Sequence, residues 1–122
     1  MEGQTATGAL SARAGIHAPD LETIARDHPV WDSAVHALSC LCVNLILTVS
    51  PDRIVLSGGV MQNKTLFPRI RVRTLELLAG YVQRDSLLNK IDEYITPSVW
   101  DNDAGIVGAL TLSMIAHNDA TA

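Results

Sequence analysis

A short apolar run ending in a pair of glycines, IVLSGGVMQN from Ile54 to Asn63, constrains the fold of this chain more than any other stretch. The turn residues of SPDR precede it, and the β-branched-rich IVLS is too short for a helix, so it predicts a parallel strand covered on both faces. Pro68 then fits only near the start of a helix, which places the next helix from about Phe67 through Ile70, Thr74, Leu77 and Leu78 to Tyr81. A strand leaving its sheet through glycines toward a helix does so at the carboxyl edge, where open α/β sheets bind ligands. There Gly58 and Gly59 have two readings: bare backbone against a nucleotide, or a positive φ for a tight turn. The pair is neither a Walker loop nor a GxGxxG fingerprint.

The rest of the chain repeats the same rhythm. Thr5 to Ala14 has helical composition and stops at Gly15, a plausible left-handed cap. Leu21, Ile24 and Ala25 behind Pro19 and Asp20 predict a short helix, which Pro29 ends. From Val30 to about Val49 apolar residues cover more than one stripe, which predicts a central helix with most of its surface buried. A second strand is expected at about Asp92 to Thr96, closed by Pro97, and DNDAGIVGAL opens a last apolar helix with capping residues. From Val30 onward the order is α, β, α, β, α, as in parallel strands with right-handed crossovers.

Composition agrees with an α/β class. The chain has 122 residues, 48% of them hydrophobic but only 4% aromatic, so one core of aliphatic side chains can form. A net charge of −4 provides no basic footprint for nucleic acid or an anionic membrane. The apolar run around Ala34 to Val49 is interrupted by His36, Ser39 and Asn44 and falls short of the roughly 20 residues of a membrane span. With no export signal at the first residues, a cytoplasmic location is expected.

Cys40 and Cys42 lie two apart in a helical pattern, on nearly opposite faces, and read as buried reduced thiols that share neither a bridge nor a metal. Asp101, Asn102 and Asp103 could suggest a metal cluster, but before a helix they read better as caps. Ala104, Gly105, Gly108 and Ala109 make a small-residue face, which something approaches closely: a neighbouring helix, or a nucleotide beside a helix N-terminus whose dipole favours anions. His28, before Pro29, and His36, on a helix, read as structural.

HPVWDSAVHALSCLCVNLILTVSPDRIVLSGGVMQNKTLFPRIR together with ITPSVWDNDAGIVGAL resembles the C-terminal part of bacterial-type fructokinases of the ROK family, within the actin-like, hexokinase-like superfamily. The likeness runs from about Glu2 to Ala116 and rests on three separated signatures in order. It implies that residues 1–122 are one unit, an incomplete actin-like (ribonuclease H-like) C-terminal lobe with helices around two parallel strands. It further implies an ATP-dependent sugar kinase using Mg, acting on fructose or another hexose, with Gly58, Gly59, Val60 and Asn63 on the adenosine side. Ala104, Gly105 and Gly108 would line the same cleft, and Glu2, in MEG, would contact sugar hydroxyls. The family's phosphate-binding segment, its general-base Asp and the His and Cys ligands of its structural zinc have no match in these residues, so no catalytic or metal residue is expected here. The alternative is a non-enzymatic ROK protein, a sugar-responsive repressor remnant or an interaction module. A helix-turn-helix upstream would favour the repressor, and a phosphate loop with an Asp base the kinase. Self-association or a homo-oligomer is expected in either case.

Overall fold

A computed structural model describes residues 7–15, 24–25 and 28–121. Helix α1 covers Thr7–Ala14 and stops at Gly15, whose φ of +71° is the left-handed cap expected from the sequence. The short helix expected around Leu21 falls mainly outside the described residues, as do Glu2 and Thr5.

Helix α2, Val30–Thr48, starts where the His28 Nδ1 accepts the Val30 N–H at 3.1 Å, and the Trp31 indole N–H donates to the Ala25 carbonyl at 3.0 Å. His28 therefore has the structural role read from its position. The helix buries Trp31, Ala34, Val35, Cys42 and Ile46 while Asp32, His36 and Leu47 face outward, so one broad face is buried rather than most of the surface. By length and composition alone it could cross a membrane, but here it is the core helix.

Strand β1, Ile54–Leu56, pairs in parallel with β2, Ile95–Pro97, in the register Ile54 to Ile95, Val55 to Thr96 and Leu56 to Pro97. Two expectations are corrected here. Val55 is 55% exposed, so one face of the sheet is open among the described residues rather than covered. The second strand begins three residues later than expected, because Asp92 and Glu93 belong to a helical turn, Ile91–Tyr94, and it ends, as expected, at Pro97, its last residue. Proline is tolerated at such a sheet edge, where no ladder donor is required of it.

Between the strands run α3, Leu66–Leu78, and two single-turn helices, α4, Asp85–Leu88, and α5, Ile91–Tyr94. Pro68 sits in the first turn of α3, as required, but the helix ends before Tyr81: Ala79 is left-handed at φ +46°, Gly80 follows at φ +73°, and Tyr81 is exposed. Helix α3 lies on α2, and the buried Ser39 hydroxyl joins them by donating to the Val35 carbonyl at 2.7 Å and the Ile70 carbonyl at 3.3 Å. Arg71 reaches from α3 to the carbonyls of Ile95 and Asp92 and so fixes the start of β2. Leu10, Ile46, Leu66, Ile70, Leu87 and Ile95 are almost fully buried in one cluster, each contributing about 1.5–3 kcal/mol by burial. Tyr94 is buried among them with its hydroxyl donating to the Pro51 carbonyl at 2.7 Å, and burial raises its pKa.

The cysteines do lie on different faces, but their burial differs. Cys42 is fully buried against Thr74, and burial pushes its thiol up to about 11. Cys40 is only half-buried, its Sγ 3.7 Å from the His36 Nε2, which corrects the reading of two buried thiols. Helix α6, Ala104–Thr121, closes the chain and is apolar around its circumference, with Ile106, Leu110, Leu112, Met114 and Ile115 all more than half exposed.

Candidate functional site

At the carboxyl end of β1 the chain passes through Ser57 into Gly58, whose φ of +107° and ψ of 174° lie in a region that only glycine enters without strain. Gly59 instead opens a 3-10 turn, Gly59–Gln62. The positive φ that the pair supplies thus belongs to its first member. A Cβ on Gly58 would meet nothing within 4 Å, so the glycine is required by backbone conformation, and the space above its backbone is open to a ligand.

The turn leads directly into α3. The Asn63 Oδ1 accepts from the Thr65 N–H at 3.3 Å and from the Thr65 hydroxyl at 2.6 Å, which settles the chain into the first turn of the helix. The Asn63 Nδ2 is buried and has no hydrogen-bond partner among the described residues, an orphaned donor of the kind that a bound polar group would satisfy. Met61 is core, and Val60 is half-buried against the core.

The second glycine segment arrives at the same edge from the other strand. The Ser98 N–H donates to the Leu56 carbonyl at 3.3 Å, continuing the sheet past β2. Asp101 then meets the first segment twice: its carbonyl accepts the Ser57 hydroxyl at 3.2 Å, and its carboxylate pairs with the Lys64 ammonium. Residues 101–103 form a 3-10 turn leading into Ala104, and the carboxylate of Asp101 is engaged by Lys64. Gly105 and Gly108 lie in the first turns of α6, and a Cβ on either would meet nothing within 4 Å, so the close neighbour expected at this small-residue face is not among the described residues.

Leu56, Ser57, Gly58, Met61, Gln62, Lys64, Ser98 and Asp101 line a shallow recess too small to admit a water-sized sphere. It falls far short of a typical ligand pocket of about 300–1,000 Å³ and is not by itself a ligand site. A larger surface groove of about 580 Å³ lies between α2 and α3, but its charges are already paired, Arg69 with Asp32 and Arg73 with Glu76. Among the described residues no three His, Cys, Asp or Glu side chains are grouped to hold a metal ion. Ser57, Ser98 and Lys64 escape the reading of the sequence, and Asp101 reads there only as a cap, because nothing local signals that residues 37 positions apart, as Lys64 and Asp101 are, will meet.

Residues 10–115 match the model of the ROK family. The chain belongs to the ROK family. Within it, this ROK chain is similar to a protein named fructokinase from Pediococcus pentosaceus, 36% identical over 98% of the chain and 39% of that protein. It is also similar to fructokinases from Lactococcus lactis subsp. cremoris, 31% identical over 93% of the chain and 37% of that protein, and from Streptococcus mutans, 29% identical over 93% and 36%. The ROK chain thus spans less than two-fifths of the length of these curated relatives.

Proposed function

We propose that these residues form the C-terminal lobe of an actin-like ROK sugar kinase, a fructokinase by its relatives, and that they hold the adenosine side of its ATP site. The observation that carries this reading is the meeting of two glycine segments, Gly58–Asn63 and Ala104–Gly108, at the carboxyl edge of two parallel strands through Asp101. The residues fit one side of a nucleotide. Gly58 offers bare backbone, Asn63 an unsatisfied amide donor, and Gly105 and Gly108 open space at the start of an 18-residue helix.

Bound ATP would supply the phosphoryl group for a sugar hydroxyl, and the work of a protein in such a transfer is mainly positioning and electrostatic stabilisation. In this division of labour Gly58, Gly59, Val60 and Asn63 orient the nucleoside from one side, and the N-terminal turns of α6 close on it from the other. Mg would travel with the phosphates, held by residues outside this set. Glu2 is proposed as an acceptor for sugar hydroxyls, in a protein working in the cytoplasm.

The test is made in the full-length protein that carries this segment. Glu2→Ala leaves sugar donors unpaired in a closed cleft, a loss of about 1–3 kcal/mol. The sugar KM then rises about tenfold or more while the KM for ATP stays near wild type. An unchanged sugar KM removes Glu2 from the sugar site, and the absence of any sugar-dependent ADP release by the wild type removes the kinase.

A further inference from the structure

We propose that the Lys64–Asp101 ion pair is a clasp that sets the gap between the Gly58 turn and the start of α6, and that Lys64 thereby positions the walls of the nucleotide cleft; this rests on the nucleotide reading above. Three observations meet at one residue. Asp101 has φ of +44°, a left-handed conformation that is uncommon outside glycine and that Asp and Asn enter more readily than other residues. Its carboxylate is held by Lys64, one residue beyond Asn63, and its carbonyl by the Ser57 hydroxyl, one residue before Gly58. Both ends of the first glycine segment are therefore fastened to the residue that leads into the second.

Lys64 and Asp101 also form the rim of the recess beside Gly58. Their side chains are 49% and 57% exposed, so the pair adds little to overall stability. Its consequence is geometric. Released from Lys64, Asp101 can relax out of its left-handed conformation, and the turn at residues 101–103 moves with it, shifting Ala104 and Gly105 relative to Gly58. A positioning role of this kind affects every ligand that needs the gap at its proper width, with or without phosphates.

In the full-length protein, Lys64→Met and Asp101→Asn each weaken adenosine and ATP by the same factor, about fivefold, equivalent to ~1 kcal/mol. Asparagine tolerates the left-handed conformation, so Asp101→Asn removes the charge and keeps the backbone preference. The double variant loses no more than either single one, since both remove one interaction. Lys64→Arg retains affinity, and high salt narrows the difference between wild type and the single variants. Without ligand, the amides of residues 101–105 exchange faster in both single variants.

A loss confined to ATP, with adenosine unaffected, would mean that Lys64 holds phosphate directly and would overturn the clasp. Unchanged affinity and unchanged exchange, in a protein whose wild type binds nucleotide, would overturn the clasp and leave the nucleotide reading standing. Faster exchange in the variants of a protein that binds no adenosine or ATP would confirm the clasp and refute the nucleotide reading, and with it the functional half of the proposal.

Discussion

Valine in place of Gly58 lowers ATP affinity of the full-length protein roughly tenfold or more, while sugar affinity changes little. Gly58 holds φ +107° and ψ 174°, where a side chain costs on the order of 1–3 kcal/mol in backbone strain. The strain is relieved by turning the peptide, which displaces Ser57 and the Asp101 contact and sets a branched side chain where bare backbone would face the proposed nucleotide. Gly59→Ala has a much smaller effect, since Gly59 already has the backbone of a 3-10 turn. Calorimetry with ATP and with sugar separates the cases. Equal loss of both ligands in Gly58→Val would signal general destabilisation and remove the nucleotide assignment.

The isolated chain of residues 1–122 is expected to self-associate and to leave fructose unphosphorylated. A helix that is apolar all round belongs in an interior, yet α6 presents Ile106, Leu110, Leu112, Met114 and Ile115 to solvent, with Val99 and Trp100 exposed beside its start. The sheet adds the exposed Val55 on a two-stranded β1 and β2 pair. Light scattering is expected to show dimers or larger species. Leu112→Lys with Ile115→Lys shifts them toward monomer, because two charges oppose burial of that face. A wild-type monomer at high concentration would refute the exposed-face reasoning. Sugar-dependent ADP release by the isolated chain would reveal a catalytic base among these residues.

The parts of the fold that were legible in the sequence are those in which a local pattern meets a strong constraint. Trp31, Val35, Cys42 and Ile46 are buried as the apolar run implies, although Val49 of the same run is exposed, and Pro68 marks the first turn of α3. Gly15 stops α1 as a left-handed cap. Legibility failed where two local signals compete. Asp92 and Glu93, expected in a strand, form the helical turn of α5. In Gly58-Gly59 both residues can take positive φ, and only the path from β1 into the 3-10 turn selects the first.

The site shows the same division. The two glycine segments could be singled out as chemistry-bearing stretches, and the structure brings their ends together. The bonds that do so, Ser57 to Asp101 and Lys64 to Asp101, span 44 and 37 residues and depend on the parallel register of Leu56 with Pro97. A pairing of that range follows from the topology and has no periodicity of its own. The small-residue face of α6 is plain in the composition, but among the described residues nothing lies within 4 Å of a Cβ placed on Gly105 or Gly108.

Amide exchange of the full-length protein with and without ATP tests most directly whether these two segments form one side of a nucleotide site. Protection is expected at residues 58–63 and at residues 101–108 together, with the groove between α2 and α3, around His36 and Arg73, unchanged. Protection in that groove, with both glycine segments exchanging as in the free protein, would contradict the assignment.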